Sequence, residues 1–107
     1  MEFSYKGKLK KQLSSKKEME KAFGRTRAKR LRLRLSVLAK AKTLADVPVD
    51  PPVRCHPLKG QRQGQFATDL IRNWRLVFAP DPPIKNHVDR AKVKRICLLE
   101  VVDYHGD

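Results

Sequence analysis

The sequence has no apolar run close to the roughly 20 residues that a bilayer-spanning helix needs. Its opening stretch, MEFSYKGKLKK, lacks the apolar core of an export signal, so a cytoplasmic protein is expected, with no membrane role. Cysteine is scarce. Cys55 and Cys97 are far apart and lack metal-type spacing, which leaves them as reduced, buried or half-buried thiols in such a compartment. Acidic residues are scarce too: eleven Asp and Glu face 25 Lys and Arg, a formal net charge of +14. Self-repulsion of that size opposes compaction, and a polyanion would relieve it. Nucleic acid is the first candidate, because each neutralised phosphate releases counterions. A solubilising surface, or a basic face that meets an acidic protein, would use the same charge.

What is present fits one domain, residues 1–107. A chain of 107 residues, 40% of them apolar, can bury roughly two-thirds of its unfolded surface in a single core. Residues 47–53, VPVDPPV, divide a basic, helical half from a strand-rich half, because three prolines stop a helix and favour an extended crossing. In the first half, EFSY (2–5) suits a short opening strand. Residues 6–21 suit a helix, and Gly24 ends that run. Residues 25–45 predict a second helix, although Arg30 to Leu35 read RLRLRL and alternate like a strand. Ala28, Leu31, Leu35, Leu38 and Ala45 recur at helical spacing, and Leu33, Val37, Ala41 and Leu44 form a second stripe. The arginines are then expected on the flanks, their stems covering apolar surface.

The second half changes period. Residues 65–71 and 74–79 read as strands joined through Arg72 and Asn73, with Asn tolerating the positive φ of a tight hairpin. Residues 80–92 form a polar loop longer than a hairpin requires. Residues 93–104 are the most apolar strand and are expected at the centre. Two N-terminal helices packed on a small antiparallel sheet make a compact α+β domain.

Three histidines carry possible chemistry, since free imidazole titrates near pH 6.5. His56 opens HPLKG, where Pro57 fixes the backbone and Lys59, Gly60 and Arg62 follow. A cation beside an imidazole suits phosphate chemistry, where developing charge needs a fixed donor. His105 closes VVDYH at the other end. Asp103 and His105 share a face if the strand persists, with Tyr104 on the opposite one. His87, in the long loop, reads as an ordinary surface residue. Arg72, Asn73 and Arg75 surround Trp74, a pattern suited to single-stranded RNA, although Trp74 itself suits the core.

AKRLRLRLSVLAKA, HPLKGQRQGQF, NWRLVF and EVVDYH, in this order, resemble the HigB toxins of the RelE/ParE toxin–antitoxin superfamily. The resemblance spans residues 3–105. It implies a small RelE-like fold and cleavage of messenger RNA in the ribosomal A site. It also implies no metal or other cofactor, and a cognate helix-turn-helix antitoxin of the HigA type. Carried over, the catalytic set is His56, Lys59, Arg75, Asp103, Tyr104 and His105; beside it, Arg62, Arg72 and Asn73 are expected as nucleic-acid contacts from their own basic and polar side chains. Many relatives have glycine where this chain has Arg72. The expected reaction uses the RNA 2′-hydroxyl as nucleophile, with His56 or Asp103 as base and His105 as acid. Lys59 and Arg75 would stabilise the phosphorane, and Tyr104 would stack on or orient a base. Two other readings stay open: a ParE-like poison of DNA gyrase with the same fold, and a non-catalytic RNA- or ribosome-binding protein.

Overall fold

A computed structural model describes residues 1–104; residues 105–107, and with them His105, lie outside the described residues. The chain opens with strand β1 (Glu2–Tyr5), then helices α1 (Leu9–Gln12), α2 (Lys16–Phe23) and α3 (Arg25–Lys40). Strands β2 (His56–Pro57), β3 (Phe66–Asp69), β4 (Trp74–Pro80) and β5 (Arg95–Asp103) follow. The single helix expected over 6–21 is therefore two. Ser15 breaks the run: it is extended, and its hydroxyl accepts the Glu18 amide at 3.1 Å, which caps the start of α2. Gly24 does separate the next pair, at φ +83°.

The RLRLRL stretch lies inside α3, so the helical period wins over the alternating one. Ala28, Leu31 and Leu38 are fully buried, and Leu35 packs against them. The second stripe is incomplete, because Leu33 is 51% exposed. Arg34 is the other departure. It lies in the buried stripe rather than on a flank, only 4% exposed. The helix also ends at Lys40, not at residue 45. Thr43 starts a separate 3-10 turn, Leu44–Asp46, closed by a reciprocal cap between Thr43 and Asp46.

The sheet is mixed rather than antiparallel, in the order β1-β5-β4-β3-β2. β1 runs parallel to β5, with Phe3 opposite Ile96, while the other three pairs are antiparallel. Nearly the whole chain separates β1 from β5, so no short hairpin imposes an antiparallel sense on that pair. β5 is flanked on both sides, but β4 is the middle strand. One sheet face meets the helices in the main core, which includes Leu31, Leu38, Leu76, Phe78, Ile96 and Leu98. The other face carries a small cluster, Leu58, Ala67 and Val77, with Leu99 and Val102 packed on it and no helix residue among them. That second face is free to carry a site. No helix among the described residues is long and apolar enough to cross a membrane.

Cys55 is 2% exposed, and burial pushes its thiol up to about 11, with Arg90 acting weakly in the opposite sense. A raised thiol pKa means a neutral, unreactive sulfur at pH 8. Iodoacetamide at pH 8 is expected to label only the half-buried Cys97 in the folded chain, and both thiols in denaturant. Mass spectrometry reads the count, and two labels on folded protein would contradict the burial of Cys55.

The β3–β4 hairpin turns at Arg72, not Asn73. Arg72 has φ +54°, and the Trp74 amide donates to the Ile71 carbonyl at 2.9 Å. A side chain in this left-handed conformation costs about 1–2 kcal/mol, against about 0.5–1 kcal/mol of added chain entropy for glycine. Arg72→Gly is therefore expected to raise stability by about 0.5–1 kcal/mol. A urea midpoint that falls would refute this.

Candidate active site

Strand β2 is only two residues long, held beside β3 by the pairing of His56 with Ala67. Alternation along the strands puts His56, Ala67, Asp69, Arg75 and Val77 on the helix-free face. The His56 Nδ1 lies 2.7 Å from the Arg54 carbonyl oxygen. A carbonyl only accepts, so Nδ1 carries the hydrogen and Nε2 of the neutral ring keeps its lone pair. His56, Lys59, Arg54 and Arg75 line one cleft of about 190 Å³. Arg75 also sits 4.8 Å over the Tyr104 ring, which brings the phenol to the same side.

Asp69 organises this cluster. Its carboxylate accepts from Arg54 Nε at 2.6 Å and Nη2 at 3.0 Å, a two-pronged pair, and lies 3.5 Å from Arg75 Nε. The hydrogen bonds to Asp69 push the Arg54 pKa up from its ordinary value, against the opposing effect of burial. Arg54 itself adopts φ +46°. Arg54, Lys59 and Arg75 thus bring three cations to the cleft, and Asp69 pairs with two of them, Arg54 and Arg75. The surplus positive charge suits a phosphate, and the carboxylate keeps two guanidinium groups from swinging into solvent.

Neither Arg54 nor Asp69 stood out in the sequence. Asp69 is 15 residues from Arg54, and only strand pairing brings them together. The one local signal was the spacing of Arg54 two residues before His56.

The remaining expected residues divide. Arg62 is engaged by Glu100 in an ion pair and donates to Gln65 Oε1 at 3.0 Å, so its guanidinium holds the 60–65 turn to β5. Asp103 pairs with Trp74 in register and lines a different cleft, of about 550 Å³, on the helix side. Arg25, Arg27, Arg72 and Asn73 line that cleft with it. The expected split of Asp103 from Tyr104 across the strand therefore holds, but it is Tyr104, not Asp103, that shares the face of His56. The Tyr104 amide donates to the Asn73 carbonyl at 2.9 Å, which extends the β4–β5 pairing to the last described residue. Trp74 is half-buried against the core, with the Arg27 guanidinium 4.3 Å over its ring.

No protein-family model matches the sequence, and no curated protein matches it. The structure is similar to that of a YoeB/ParE toxin from Agrobacterium tumefaciens, with a TM-score of 0.61. The match covers 98% of this chain and 100% of that one, at 10% sequence identity. The likeness is one of fold: a mixed α/β domain, matched over nearly its whole length.

Proposed function

We propose that this chain is the toxin of a type II toxin–antitoxin system and a ribosome-dependent endoribonuclease of the HigB kind. The observation that carries the reading is the His56 imidazole, bonded through Nδ1 to the Arg54 carbonyl and set in a cleft with Lys59, Arg54 and Arg75. The similar fold of a YoeB/ParE toxin supports it.

In the proposed reaction, His56 Nε2 takes the proton from an RNA 2′-hydroxyl, and the oxygen attacks the adjacent phosphorus. The bond to the 5′-oxygen breaks, and that oxygen leaves with a proton from His105. The products are a 2′,3′-cyclic phosphate and a 5′-hydroxyl end. Lys59 and Arg75 carry the charge that builds on the phosphorane. Tyr104, held by Arg75, orients the neighbouring base. Of the two candidate bases, His56 is preferred because Asp103 opens on another cleft. No metal or other cofactor enters these steps. The message is held on the ribosome, which supplies in-line geometry. A cognate antitoxin of the HigA type would neutralise the toxin.

The test is induction in a bacterium, with transcript ends mapped against the reading frame. Cuts in phase with codons, in translated messages only, are expected. An in vitro translation assay beside a gyrase supercoiling assay separates the rival: lost supercoiling with intact messages would make the chain a gyrase poison.

A further inference from the structure

The loop of residues 81–94 folds back over the turn of residues 57–66 and forms a third cleft, of about 510 Å³. The two walls are closely fitted. Gly64 adopts φ +90°, and a Cβ there would come 3.0 Å from the Ile84 carbonyl oxygen, so only glycine admits this approach. Leu58 and Phe66 are buried beneath the cleft, and the half-buried Arg90 guanidinium covers the Phe66 ring at 5.1 Å. Gln63 and Asn86, whose side chains end in amides, line the cleft from opposite walls. Lys59 and Arg90 bring positive charge, and among the described residues no Asp or Glu lines the cleft. Lys59 also lines the His56 cleft, so the two cavities share a wall and a cation.

The Arg90 guanidinium plane, backed by the Phe66 ring, suits the flat face of a base. Amides at the rim suit its hydrogen-bonding edge. A cation at the shared wall suits the phosphate between two nucleotides. We propose that this cleft is a base-binding subsite for the RNA nucleotide next to the scissile phosphate, read by Asn86 and Gln63, with Lys59 bridging the two sites. The proposal rests on the nuclease reading and gives the long loop a role in choosing where the message is cut.

Two measurements test it. In ribosome-programmed cleavage, Asn86→Ala and Gln63→Ala are expected to raise KM roughly 10- to 100-fold and redistribute the cut sites, with kcat nearly unchanged. Both side chains lie on surface loops, so the fold should tolerate the changes, and circular dichroism checks this. Cleavage by the wild type with unchanged KM and cut sites in both variants would overturn the subsite and leave the nuclease standing. The second measurement is an amide NMR titration of the wild-type chain with trinucleotides made uncleavable by 2′-deoxy substitution. Shifts at Gly64, Asn86 and Val88 are expected. Should the wild type cleave nothing, the nuclease reading fails by itself, and the titration alone decides the subsite: no shift at those amides overturns it.

Discussion

His56→Ala is expected to lower ribosome-dependent cleavage by roughly 10²–10⁴-fold, the usual share of a general base. The argument is geometric. The Arg54 carbonyl fixes the tautomer of the ring, so a neutral His56 presents an unprotonated Nε2. Alanine removes that acceptor but leaves Lys59, Arg54 and Arg75 in place, so message binding should persist while turnover falls. Structural damage should be small, because His56 is only half-buried and its hydrogen bond to the Arg54 carbonyl is worth about 1 kcal/mol. Primer extension on ribosome-bound message measures the rate, and a urea melt checks the fold. A folded variant that cleaves within threefold of wild type would remove His56 from the mechanism. A non-catalytic RNA-binding protein predicts the opposite pattern: indifference to the imidazole, and loss of function when charge is removed from residues 25–34.

How much of this was legible depended on whether the information was local. The helical period inside RLRLRL could be read, because leucines spaced at helical intervals outweigh a short alternation. The grouping of His56 with Lys59 could also be read, since three residues and a proline fix their relation. Arg75 and Tyr104 reached the same face through strand pairing, which the resemblance anticipated and the residues alone did not. The parallel sense of β1 was hidden because its partner lies more than 90 residues away and no turn chemistry connects them. Asp103 looked catalytic in DYH, yet a β-strand sends neighbours to opposite faces, and Tyr104 shares a face with Arg75. Asp69 was invisible because a lone acid in FATD says nothing until Arg54 and Arg75 are brought to it.

Arg34→Ala is expected to cost about 3–5 kcal/mol of folding stability, a large share of the roughly 5–15 kcal/mol that holds a domain of this size. The guanidinium is buried between α3 and the sheet, where Nε donates to the Asp69 carbonyl at 2.6 Å and Nη2 to the Pro52 carbonyl at 3.1 Å. Burial, and then Arg30, push its pKa down from the ordinary value, while Asp69 pushes it up. An arginine stays charged under such pressure, so the two charged hydrogen bonds must offset the loss of water. Truncation leaves both carbonyls without their donor, at about 1–3 kcal/mol each, and opens the space that the stem filled. Arg34→Lys should fall between alanine and wild type, because one ammonium keeps the charge but lacks the planar fork that reaches two carbonyls. Urea unfolding followed by Trp74 fluorescence measures both. A loss under about 1 kcal/mol for alanine would mean that water or a neighbour satisfies those carbonyls. The position of these contacts matters beyond stability. Asp69 holds Arg54 and Arg75 through its side chain while Arg34 holds its backbone, and Pro52 begins the short path to His56. One buried arginine in the basic helix therefore fixes both segments that build the cleft, so Arg34→Lys should lower cleavage more than its stability loss alone accounts for.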